Sequence, residues 1–215
     1  MIPRLRSIAV IVLLLLFTDI QGQNKILIPM DLSQTDHLRA YGVTYRALSK
    51  GLLADWLLNY RGGSFAIDRS DEVVLDCRLQ GVYFEELDAA SAVEIYSFVQ
   101  QADQNMDVVR MEKAPKVAVY VPPGFHPWDD AVTLALEYAG IPYDKFWNEE
   151  ILRGDLAKYD WLHLHHEDFT GQYGKFYASY ANAQWYIENQ RRYEADAQRL
   201  GYTKVSKMML DVAKM

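Results

Sequence analysis

The chain has 215 residues, 50% of them hydrophobic and 24% charged, which suits a globular fold with a full core and excludes a fibrous or disordered chain. Its formal net charge of −7 becomes −8 without the first 22 residues, which carry Arg4, Arg6 and Asp19, and a balance of that sign repels polyphosphates and speaks against a nucleic-acid partner. Cys77 is the one cysteine, so no intrachain disulfide can form and the fold must hold by packing.

The first 22 residues read as a secretory signal peptide: Arg4 and Arg6, the apolar run Ile8 to Phe17, then a short polar stretch ending at the small Gly22. The run is shorter than the roughly 20 apolar residues of a membrane span. The expectation is an exported protein, periplasmic or secreted, with no stable membrane span after cleavage. Residues 23–215 then form the α/β domain, with sub-lobes expected at 23–107 and 115–215.

Beyond the signal, strands and helices alternate. "KILIPM" is a short apolar strand, and "SQTDHLRAYGVTYRALSKG" sets Leu38, Tyr41, Tyr45 and Leu48 at helical spacing, with Ser33 and Asp36 as a capping box and Gly51 as the stop. "ADWLLNY" is a second strand, "DEVVLDCRLQG" a helix closed by Gly81, "VYFEEL" a third strand and "AASAVEIYSFVQQA" a third helix. "DQNMDVVRMEKAP" reads as a polar connection. "KVAVYV" is the clearest strand, β-branched and bounded by Pro115 and Pro122. The helix "HPWDDAVTLALEYAGIP" follows, with Pro127 suited to its first turn and Gly140 to its end. "YDKFW" and "YDWLHLHH" are the fifth and sixth strands, separated by the helical "NEEILRGDLAK". The expected fold is therefore a doubly wound, mostly parallel sheet of about six strands. Tyr173 to Leu200 reads as helix with a core-facing aromatic stripe of Tyr173, Phe176, Tyr177 and Tyr180, and a last helix starts near Thr203. That helix keeps its apolar spacing to Met215 without a stop signal, the pattern of a chain truncated at its C-terminus.

The stretch "HLHHED" concentrates chemistry. On a strand His163, His165 and Glu167 share one face, and imidazoles two apart with a carboxylate have the donor types of a divalent metal site. Its position at a strand's carboxyl end is where open α/β sheets bind small molecules, so His163, His165, His166, Glu167 and Asp168 are candidate ligand-binding residues. A buried, hydrogen-bonded structural cluster is the competing reading. "PPGFHPWDD" adds His126, while Asp129 and Asp130 are explained by the helix dipole. "NYRGGSF" adds Arg61 to pair an anion, and Gly62 and Gly63 to expose backbone N–H groups. "PMDLSQTDH" offers Asp31, Asp36 and His37. No organic cofactor is evident, and a divalent metal is the one cofactor these residues suggest.

"KVAVYVPPG", "AVTLALEYAGIPYD" and "LAKYDWLHLHHEDF" in succession resemble the opening of the class I glutamine amidotransferase-like fold. "DHLRAYG", "WLLNYRGGSF" and "HLHHEDFTGQYGKF" are similar to an exported Bacteroidota-type family that often carries the automatic label asparagine synthetase B; the likeness spans nearly all of the mature chain. A true asparagine synthetase B has a cysteine directly after Met1, where this chain has Ile2, and a P-loop-like pyrophosphate motif that is absent here, so ATP, glutamine and aspartate are not carried over. Class I members bear a cysteine nucleophile on an elbow after the strand matched by Tyr159 to His165, and nothing after Cys77 supplies one. The resemblance thus implies a hydrolase or amidotransferase scaffold whose nucleophile lies beyond Met215, without glutaminase activity as it stands. The alternatives are a non-enzymatic periplasmic small-molecule-binding module and a metal-dependent hydrolase built on the histidine cluster.

Overall fold

The structure, a computed structural model, describes residues 24–164 and 179–215. It divides into two units, one ending at Ala114 and one starting at Pro115. Among the described residues no helix is long and apolar enough to cross a membrane.

The first unit runs β1 (Lys25–Ile28), α1 (His37–Ser49), β2 (Ala54–Leu58), β3 (Ser64–Asp68), α2 (Asp71–Gln80), β4 (Glu85–Leu87), α3 (Ala89–Val99) and β5 (Asp107–Met111). Its sheet has the order β4-β1-β3-β2-β5 with every neighbouring pair antiparallel. This corrects the parallel sheet expected from the sequence. The physical reason is the segment Asn59–Gly63, where Asn59, Arg61, Gly62 and Gly63 all have positive φ and turn the chain straight back. Ser64–Asp68, left as loop by the sequence, becomes a strand between β1 and β2, so the α1 crossover joins strands that are not neighbours. "DVVRM", read as a connection, is the edge strand β5. The βαββαβ order with strands 4-1-3-2 is the split-βαβ, ferredoxin-like plan, extended here by α3 and β5.

Strand alternation gives this sheet two apolar faces. Ile26, Ile28, Phe65 and Ile67 pack with Ala40, Val43 and Ala47 of α1 and Val73, Val74 and Cys77 of α2. Leu27, Leu57 and Ala66 point the other way, against Ile95 and Tyr96 of α3. The caps follow from side-chain chemistry: Asp36, not Ser33, is the N-cap of α1 and accepts from the Arg39 N–H at 3.0 Å, while Ser70 caps α2 and Gly81 closes it at φ +68°.

The second unit holds β6 (Val117–Tyr120), α4 (Ala131–Ala139), β7 (Tyr143–Phe146), α5 (Asn148–Leu152), β8 (Trp161–Leu164), α6 (Gln184–Arg199) and α7 (Val205–Val212). Here the sheet is parallel, three strands in the order β7-β6-β8. Together the two sheets make a mixed α/β chain in place of one six-stranded parallel sheet. Val117 and Val119 face α4 with Val132 and Leu136, whereas Ala118 and Tyr120 face Ile151 of α5, Ala197 of α6 and Met208 and Val212 of α7. Helices on both faces explain why "VAVY" is apolar throughout and fully buried. Under β6 the Tyr120 hydroxyl donates to Asn148 Oδ1 at 2.5 Å, and Asn148 Nδ2 donates to Asp196 Oδ2 at 2.7 Å, so these buried polar groups are paired. Of the helix expected from Tyr173 to Leu200, the stripe residues Tyr173, Phe176 and Tyr177 lie outside the described residues, and Gln184–Arg199 is helical.

Candidate functional site

In the second unit the chain leaves β6, crosses to α4, returns as β7, then goes to β8 on the far side of β6. The reversal between β7 and β8 makes β6 a topological switch point, and the carboxyl ends of strands at such a point are where open α/β sheets bind ligands. Two described histidines come to this edge. His163 lies near the carboxyl end of β8, and His126 sits in the segment that follows β6.

Asp130 pairs with the first of them, His163. As N-cap of α4 it accepts from the Val132 N–H through Oδ1 at 2.8 Å, as helix-start chemistry dictates. Its second oxygen, Oδ2, lies 2.5 Å from Nε2 of His163, with the two side chains 10% and 19% exposed. A carboxylate accepts and does not donate, so a neutral His163 carries its proton on Nε2. Nδ1 then keeps its lone pair, and among the described residues it has no hydrogen-bond partner. An imidazole fixed through one nitrogen by a carboxylate, with the other nitrogen unpartnered among the described residues, is the arrangement of an oriented proton acceptor.

The segment before Asp130 is held in place as well. His126 N–H donates to Asp129 Oδ2 at 3.1 Å, and the Thr133 hydroxyl donates to the Pro127 carbonyl at 2.8 Å. The His126 and Trp128 rings stack at 4.4 Å with an interplanar angle of 4°, and Trp128 is 69% exposed. His165, His166, Glu167 and Asp168 lie outside the described residues, and with them two of the three metal ligands expected from the sequence. Among the described residues no group of three metal-ligating side chains comes together.

Arg61, Gly62 and Gly63 belong to the first unit, where they build the β2–β3 turn. The Arg61 guanidinium donates to Asp31 Oδ2 and Glu85 Oε1, each at 2.8 Å, and to the Ser33 hydroxyl at 3.2 Å. The Ser33 hydroxyl and then Arg61 hold the Asp31 carboxyl well below the usual carboxylate range. Burial works against the Arg61 charge, yet Asp31 and Glu85 raise its pKa above the ordinary value. Gly62 passes so close to the preceding loop that a Cβ would sit 2.3 Å from the Met30 carbonyl oxygen, and the Gly63 carbonyl accepts from Trp56 Nε1 at 3.1 Å. Asp36 is a cap, and His37 Nε2 lies 3.1 Å from the Met30 carbonyl oxygen. Cys77 is buried between helices and sheet, and desolvation pushes its thiol up to about 12.

The sequence reading missed one polar cluster. Asp55, 2% exposed on the α3 face of β2, bonds Arg110 of β5 and the Tyr96 hydroxyl of α3, with Lys25 Nζ at 3.7 Å. Burial and then Asp55 push the Tyr96 hydroxyl well above its usual range. A buried charge this fully paired reads as a fastening for α3. Its signal was available: Asp55 is the lone charge within "ADWLL".

No family model matches the chain, and no curated protein or solved structure matches it either.

Proposed function

We propose that this is an exported α/β protein with an amidotransferase-like second unit, which holds a small polar molecule at the carboxyl edge of that unit's parallel sheet. His163 takes a proton from the bound molecule or from a water beside it, and Asp130 keeps the imidazole in the accepting tautomer. The observation that carries this reading is the 2.5 Å contact between His163 Nε2 and Asp130 Oδ2 at a topological switch point. The parallel β6-α4-β7 succession and its closing Ala-Gly-Ile support the amidotransferase likeness, and the charged-then-apolar N-terminus supports export.

The test is a thermal-shift screen of small amides, amino acids and sugars against the intact chain, His163→Gln and Asp130→Asn, with and without chelator. A ligand at a hundred times its Kd adds about 2.7 kcal/mol to stability. The expected result is a rise in Tm for the unsubstituted chain that both variants lose and chelator leaves intact. A rise untouched by either substitution refutes the site, one abolished by chelator supports the metal-dependent alternative, and none across the panel removes these ligand classes. N-terminal sequencing of protein expressed with export machinery tests the remainder: a start near Gln23 agrees, and Met1 on the mature protein does not.

A further inference from the structure

β7 and β8 flank β6, and the ladder sets Lys145 and His163 both level with Val119. Residues aligned across neighbouring parallel strands point to the same face, so the three side chains form one row beneath the connection from β6 to α4. The outer two are roughly 10 Å apart across two strand spacings. Val119, between them, is fully buried. Lys145 Nζ donates to the Phe125 carbonyl at 2.8 Å and lies 5.6 Å from the centre of the Phe125 ring. At the other end of the row His163 holds Asp130. The segment Phe125–Asp130 is therefore fastened at its first residue by β7 and at its last by β8, and the His126–Trp128 stack lies between the fastenings.

A lysine at a strand end ordinarily extends its ammonium into water. Lys145 is exposed as a residue, yet its ammonium also donates to a main-chain carbonyl, a charge-assisted hydrogen bond that resists rotation of the Phe125–His126 peptide. We infer that Lys145 is a positioning residue of the candidate site: it sets the orientation of the segment so that His126 and Trp128 stack as one flat surface beside His163. The sequence reading did not single it out. This inference rests on the carboxyl edge being the binding site, but the geometry it asserts is measurable without a ligand.

The experiment is NMR on the full chain with the Trp128 indole N–H and the His126 ring protons assigned, comparing Lys145→Met and Lys145→Arg with the unsubstituted protein. Lys145→Met is expected to lose the ring-current shifts of the His126–Trp128 stack, while the Leu162 and Tyr120 resonances on the opposite sheet face stay in place. Lys145→Arg, which restores a charged donor, is expected to recover the ring-current shifts. Trp128 and His126 resonances unmoved by Lys145→Met overturn the inference, as does equal loss in both variants. A ligand screen without hits, combined with these shifts, removes the screened ligand classes and leaves the positioning geometry standing.

Discussion

Cys77 is a buried thiol on α2, packed with Val73 and Val74 against the sheet. A free thiol in such a place behaves as a small, inert hydrophobe of the core. The structure adds a direction: burial first, then the Asp76 carboxylate, push the thiol up to about 12. An ordinary thiol titrates near pH 8.5. Between those values the folded chain keeps a proton that the unfolded chain releases, so stability is complete below about pH 8.5 and falls as pH rises toward the folded value. Urea unfolding at pH 8 and pH 10 should show the unsubstituted chain losing about 2 kcal/mol more than Cys77→Ala over that interval. Equal losses would contradict the buried thiol. His163 and Asp130 are the harder case. "HLHH" draws attention to the histidine, but Asp130 has a sufficient explanation as a first-turn carboxylate that complements the helix dipole. It is a cap through Oδ1 and a histidine partner through Oδ2, and a pairing 33 positions apart leaves no local trace in the sequence.

Among the elements, the turn Asn59–Gly63 did most to separate expectation from structure. Two adjacent glycines read in the sequence as exposed backbone N–H groups, and in the structure they reverse the chain and create β3 between its neighbours. The hairpin signal was present, since a few glycine-containing residues between "ADWLL" and "SFAID" is turn chemistry. What the sequence lacked was the close approach of Gly62 to Met30, a contact between segments far apart in the chain. Substitution separates the two roles of glycine. Gly81 has φ +68° with open space around its Cβ position, so Gly81→Ala should cost about 1–2 kcal/mol from the left-handed backbone alone. Gly62→Ala meets the same backbone penalty at φ +80° and must also displace the Met30 carbonyl, so its cost in urea unfolding should be clearly larger, with Arg61 losing its set toward Asp31 and Glu85. Equal costs at the two glycines would show that the approach to Met30 is relaxed.

For the molecule as a whole, alternation of strand and helix predicts α/β architecture and six of the eight strands of the described residues, to which the structure adds β3 and β5. Alternation does not encode strand order. A split-βαβ sheet and a doubly wound sheet give the same succession, and the difference lies in whether a hairpin inserts a strand between those a helix joins. "VAVY" is apolar at every position because helices cover both faces of its parallel sheet, while "ILI" of β1 reaches the same composition in an antiparallel sheet covered by helices on both faces. The function proposed for the second unit comes down to which nitrogen of His163 carries the proton. Long-range ¹H–¹⁵N correlation on histidine-labelled protein at a pH where the ring is neutral reads this directly. The prediction is a protonated Nε2 and a bare Nδ1 in the unsubstituted chain, with that preference lost in Asp130→Ala. A protonated Nδ1 in the unsubstituted chain would mean that Asp130 does not hold the imidazole as an acceptor, and would contradict the proposed site.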